Sequence, residues 1–160
     1  MTATSQLLEL REDILSRIPD AYLFPEHAGV RGFLGCGPVM LVGERLSTGR
    51  FPSPADQLLY SLLQKYGAAD AHLTDVIKSR ANARAPYPSD MTIHRRLFDR
   101  ELEIVQPSVI ITFGAKVHDL LRFAFAGAHV EIRQIWHYSY ARRWPSKTEA
   151  FEEQLRDALA

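Results

Sequence analysis

The chain has 160 residues, 46% of them hydrophobic and 24% charged, and its 19 basic and 19 acidic side chains cancel to zero net charge. A chain of this length forms one domain that buries roughly 70% of its unfolded surface, and zero charge excludes a global field drawing it onto nucleic acid or an acidic membrane, so such binding must rest on a local patch. Cys36 is the single cysteine, which excludes an internal disulfide and any zinc or iron–sulfur site built on several thiolates of one chain.

Residues 5–18 place Leu7, Leu8, Ile14, Leu15 and Ile18 on one face and charges on the other, predicting a first helix closed by Pro19-Asp20. No long apolar core precedes or interrupts it, so no signal peptide or spanning segment is read and a cytoplasmic setting is expected. From residue 21 to 38 there is no sustained period, and glycines at 29, 32, 35 and 37 suggest an ordered loop. Val39-Met40-Leu41-Val42 reads as a buried strand ended by Gly43-Glu44. After a loop, Ser53 is the expected N-cap and Pro54 the first helical residue, with Leu58, Leu59, Leu62, Leu63 and Tyr66 forming a stripe until Gly67.

A second, less apolar strand is expected over 71–77, followed by a basic loop carrying Lys78, Arg80 and Arg84. The next helix starts near Ser89-Asp90 and runs to Val105, before Pro107. Val109-Ile110-Ile111-Thr112-Phe113 is the best strand of the chain, ending at Gly114. A helix over 115–126 and a strand over 130–135 follow. Then comes Trp136-His137-Tyr138-Ser139-Tyr140-Ala141-Arg142-Arg143-Trp144, which packs a titratable ring, a hydroxyl and two guanidinium groups among four aromatics directly after a strand. Ser146-Lys147-Thr148-Glu149 is an expected capping box for a last helix with Phe151, Leu155 and Leu159 inward.

Strands separated by helices require crossovers, so the expected architecture is a three-layer α/β/α sandwich on a central four-stranded parallel sheet. The division is residues 1–37 as N-terminal helix and loop and 38–160 as the α/β core of a single domain. All four post-strand loops then gather at one sheet edge, where α/β proteins place their chemistry.

Read together, those loops resemble the motifs of the uracil-DNA glycosylase superfamily, most closely its family 4 branch. In the position of the family pattern G-E-x-P-G stands Gly43-Glu44-Arg45-Leu46-Ser47, and in that of P-F-V-G-x-A-G-x-L-L the stretch from Arg50-Phe51-Pro52 to Leu59. In the position of T-N-x-x-K-x-R stands Thr74-Asp75-Val76-Ile77-Lys78-Ser79-Arg80, in that of P-x-V-I-x-x-L-G residues 107–114, and in that of H-P-S-Y-x-x-R His137-Tyr138-Ser139-Tyr140-Ala141-Arg142-Arg143. The resemblance covers about residue 39 to the end and implies a monofunctional DNA glycosylase that flips a base and hydrolyses its N-glycosidic bond. Glu44 and His137 would then be catalytic, the first facing the cationic sugar or its water and the second donating to the base O2. Phe51 and Asp75 would bind the base. Lys78, Arg80, Ser139, Arg142 and Arg143 would bind DNA, Ser139 with its backbone N–H, and Arg84 and Lys147 could add phosphate charge.

The departures from the pattern are specific. Family 4 members hold an iron–sulfur cluster on four cysteines; here Ser79 and His94 fall where two of those thiols belong, so no cofactor is expected. The first motif lacks its Pro-Gly. Asp75 stands in place of the uracil-reading asparagine. A protonated aspartate offers one donor and one acceptor, which suits a cytosine edge, whereas an ionised one only accepts. A cytosine-type or otherwise modified base is therefore an expected substrate beside uracil. Expected partners are DNA and its flipped base, with no membrane, and a monomer. The alternatives are a degenerate member that binds nucleic acid or a nucleobase without chemistry, or action on a free nucleoside or nucleotide.

Overall fold

A computed structural model describes residues 1–46, 49–81, 85–124 and 130–160, with backbone only for 123 and 124. Arg84 and Ser47, named above, lie outside the described residues, as does the end of the helix expected over 115–126.

The first helix, α1 (Ala3–Arg17), is capped by Thr2, whose hydroxyl accepts the Ser5 N–H. A short 3₁₀ turn (Gly32–Leu34) precedes β1 (Val39–Gly43). Helix α2 (Pro54–Lys65) opens with the expected Ser53 cap and Pro54. The cap is reciprocal, since the Asp56 carboxylate accepts the Ser53 N–H. Gly67, at φ +73°, ends it where a side chain would be strained. Strand β2 (His72–Asp75) is shorter than expected, because its register with β1 runs out at the Gly43–Asp75 pair. Then come α3 (Met91–Val105), β3 (Val109–Phe113), α4 (Ala115–Ala124), β4 (Glu131–Ile135), the short α5 (Tyr138–Ala141) and α6 (Pro145–Leu159).

The sheet is four-stranded and wholly parallel, in the order β2-β1-β3-β4. Side-chain alternation along β1 divides the core into two. Leu41 faces Leu59, Leu63, Phe151 and Leu155 of α2 and α6, while Met40 and Val42 face Leu7, Leu10, Ile14, Leu97 and Phe98 of α1 and α3. This is the expected three-layer α/β/α arrangement, and it puts Gly43, Asp75, Phe113 and Ile135 at one edge.

The last cap differs from expectation. Helix α6 begins at Pro145 with Trp144 as its N-cap and no side-chain cap bond. Proline, lacking an N–H and fixed at a helical φ, starts the helix before Ser146 can cap it. The Thr148 hydroxyl instead donates to Ala141 O at 2.7 Å, tying α6 to α5.

Candidate active site

A cleft of about 530 Å³ opens at the C-terminal edge of the sheet, and Glu44, Phe51, Arg80, Phe113, Lys116 and His137 are among its walls. Four of these come from segments that immediately follow strands, which is the consequence of a parallel sheet.

His137 is the most constrained of them. Trp136 N–H donates to Gln154 Oε1 at 2.9 Å, which fixes the chain as it leaves β4. The His137 ring then caps α5, its Nδ1 accepting the Ser139 N–H at 3.0 Å, with the Ser139 hydroxyl 2.7 Å from the same nitrogen. A backbone amide only donates, so Nδ1 carries no proton and the neutral ring holds its proton on Nε2. Nε2 has no partner among the described residues. The ring stacks on Tyr138 (4.4 Å, 21°) and meets Phe113 edge-on at 5.9 Å. Burial among these rings lowers its pKa from 6.5 to about 4, so the ring is neutral at ordinary pH.

Ser139 therefore departs from expectation. Its backbone N–H is committed to His137 and is not available to a phosphate. It holds the histidine.

Glu44 follows β1, with its Oε2 at 3.5 Å from Lys116 Nζ and its Oε1 at 3.8 Å from Arg45 Nε. Lys116 is exposed, and the Glu44 charge raises its pKa. Arg45 is nearly buried, donates to the backbone carbonyls of Ala85 and Pro86, and lies 5.5 Å from the Tyr87 ring. It straps that loop to the cleft. Phe51, half-buried, is held edge-to-face at 5.3 Å by both His27 and Tyr60, and the Tyr60 hydroxyl donates to Pro25 O.

Asp75 is not in the cleft wall. Its carboxyl packs against Gly43: a Cβ on residue 43 would lie 2.3 Å from Asp75 Oδ1. The neighbours of that glycine, Glu44 and Phe113, do line the cleft. Among the described residues nothing hydrogen-bonds the carboxyl. Burial, aided by the charges of Glu101 and Glu44 and opposed by Lys78, raises its pKa from 3.8 to about 7. A Gly43→Ala variant is expected to push this carboxyl aside and lose about 1–3 kcal/mol in thermal unfolding. Unchanged stability would place the carboxyl elsewhere.

Lys78 corrects a second expectation. It is 2% exposed and cannot reach a phosphate. Its ammonium pairs with Glu101 of α3 and donates to the Thr74 hydroxyl at 2.8 Å and to Asp75 O. Glu101 also takes His72 Nε2 at 2.9 Å, while His72 Nδ1 lies 3.0 Å from Gly35 O. Although burial pushes the Glu101 pKa up, Lys78 and His72 outweigh it and hold the carboxyl ionised. The lysine faces inward because three acceptors, the Glu101 carboxylate, the Thr74 hydroxyl and Asp75 O, converge where its ammonium sits.

Arg80 does line the cleft, donating to Gly49 O with its guanidinium 4.6 Å from the Tyr22 ring. Arg142 and Arg143 are exposed outside the cleft wall, Arg143 lying 5.7 Å from the Tyr140 ring. Reasoning from sequence missed Lys116, which strand-end logic offered two residues beyond Gly114. It also missed Arg45 and Tyr87, whose approach depends on tertiary packing.

The residues do not fit an iron–sulfur cluster. Cys36 is the only thiol, and His94 uses Nδ1 to accept the Lys78 N–H at 2.9 Å. No helix among the described residues is long and apolar enough to cross a membrane. The family model described as the uracil DNA glycosylase superfamily matches residues 34–160. No curated protein matches the chain.

Proposed function

The chain belongs to the uracil-DNA glycosylase superfamily, and from that premise we propose that it is a monofunctional DNA glycosylase acting on a flipped uracil or cytosine-type base. The observation that carries this reading is the His137 ring, neutral and with its one proton directed away from Ser139 on Nε2. In the proposed reaction the C1′–N bond breaks and its electron pair leaves with the base. His137 Nε2–H donates to the base O2, where that negative charge grows. Glu44 faces the cationic sugar and takes a proton from the water that adds at C1′, giving an abasic site and free base. Phe51, held rigid by its two ring neighbours, offers a face to the base, and Arg80 neutralises a phosphate at the cleft mouth. No cofactor takes part.

The reading is tested on oligonucleotides carrying uracil, hypoxanthine, xanthine, mismatched thymine or modified cytosines, scored for abasic sites. Abasic sites that vanish in the His137→Ala variant are the expected result; none across the panel overturns it. A second reading is a degenerate member that binds without cleaving. Two cations within 4 Å of Glu44 favour it, because they share the charge the sugar needs, and it predicts tight oligonucleotide binding with no abasic sites.

The choice of base is proposed to turn on Asp75, whose carboxyl packs against Gly43 and has no hydrogen-bond partner among the described residues. Below pH 7 its carboxyl presents a donor and an acceptor. Asp75→Asn is expected to raise uracil excision relative to cytosine-type bases by about tenfold; an unchanged ratio removes Asp75 from specificity. The same group makes a stability prediction. In the folded chain it keeps its proton to about pH 7, against 3.8 ordinarily. Its contribution is therefore fully present below pH 3.8 and lost as pH rises through 7. The denaturation midpoint should fall between pH 4 and 7 more in the parent than in Asp75→Asn.

A further inference from the structure

Beside the cleft, on the His137 side, three aromatic rings form a row that the reaction does not use. Trp136 leaves β4, Tyr140 lies in α5 and Trp144 caps α6. Trp136 meets Tyr140 at 5.4 Å and 89°, and Tyr140 meets Trp144 at 6.2 Å and 74°. The inner end is anchored, since Trp136 packs on the core. The outer end is open: Trp144 is 52% exposed. Its backbone is extended at φ −143°, ψ 146°, and Pro145 restricts it to that region, so the indole projects from a fixed base.

Cations accompany the row. Lys147 Nζ lies 5.1 Å from the Trp136 ring and 5.8 Å from Tyr140, and Arg143 lies 5.7 Å from Tyr140. Arg142 is exposed next to it. The segment from 136 to 147 holds no acidic residue in a chain whose overall charge is zero. The positive charge is thus concentrated where the exposed ring is, continuous with the cleft through His137 and Ser139.

We propose that the Trp136–Tyr140–Trp144 row with Arg142, Arg143 and Lys147 is a stacking platform for single-stranded DNA flanking the base held in the cleft. The proposal rests on the reading of that cleft as a DNA site. An exposed indole gains a partner only where a base has left its own stack, and every base has a face to offer; the neighbouring cations meet the phosphates between such bases. A paired base in a duplex keeps its faces covered, so a duplex would engage the cations and leave Trp144 idle. The rings therefore favour unpaired strands, and the cations alone do not choose.

The test is fluorescence anisotropy of labelled oligonucleotides without any modified base, single-stranded and duplex, at fixed salt. Trp144→Ala is expected to weaken single-strand binding by about tenfold while leaving duplex binding within about twofold, and Trp144→Phe to restore most of the loss. Arg143→Ala should weaken both. Equal effects of Trp144→Ala on the two forms, or none on either, overturn the platform. Because no base is excised in this assay, its outcome is separable from that of the glycosylase test. Excision with Trp144-independent binding sinks the platform alone, whereas Trp144-dependent single-strand binding without excision supports it and sinks only the proposed chemistry.

Discussion

Replacing His137 with alanine is expected to lower base excision by about 10²–10³-fold with little change in oligonucleotide affinity, because the donor it removes acts on charge that exists only in the transition state. Single-turnover kinetics against a binding titration separates the two. Asparagine at 137 retains an N–H donor and should recover part of the loss. The pH profile carries a second readout. Burial holds the ring near 4 rather than 6.5, so no histidine step should appear in the rate between pH 5 and 8. For stability the sign is that of a depressed group: its contribution is present above 6.5 and lost as pH falls toward 4. A rate that still titrates near 6.5 in the Asp75→Asn variant, or a His137→Ala variant of full activity, removes His137 from the chemistry.

Lys78→Met is expected to cost about 3–5 kcal/mol of folding stability, the largest effect of any substitution considered. The methionine fills much of the same volume and keeps contact with Phe98, whose ring lies 5.6 Å from the ammonium. What it removes is the one Lys or Arg paired with Glu101 among the described residues, leaving an ionised carboxyl in a fully buried site beside His72. Urea denaturation reads the loss. The double variant Lys78→Met with Glu101→Gln should regain most of it, since the amide still serves His72 and no charge is left unpaired. If the double variant is no better than the single, the lost stability lies in the Thr74 and Asp75 O contacts and not in the ion pair. Because Lys78 also opposes the proton on Asp75, the single variant should hold that proton to higher pH.

Much of the fold was legible because short-range chemistry and periodicity agree along this chain. The Ser53-Pro54 start of α2, the Gly67 stop and the run 109–113 each declare themselves locally, and the four strand-helix alternations require a parallel sheet. The first turn of α6 shows where such reading fails: two start signals overlapped, and the proline, which fixes φ, prevailed over the serine.

The site divides along the same line. Sequence by itself determined which strand ends bear Glu44, Asp75 and His137, because a parallel sheet gathers all its C-terminal ends on one edge and the order of motifs fills them. It also determined that this chain lacks the four thiolates on which the family 4 cluster is held. Only the tertiary structure decided which side chains face the cleft. Lys78 sits two residues from Arg80, yet one is drawn into the core by Glu101 from α3 and the other lies at the cleft mouth with Tyr22. Asp75 packs its carboxyl against Gly43, and Ser139 spends its N–H on its neighbour His137. For Lys78 and Arg80 direction is set by partners far away in the chain, Glu101 and Tyr22, and a buried polar atom goes wherever its partners are.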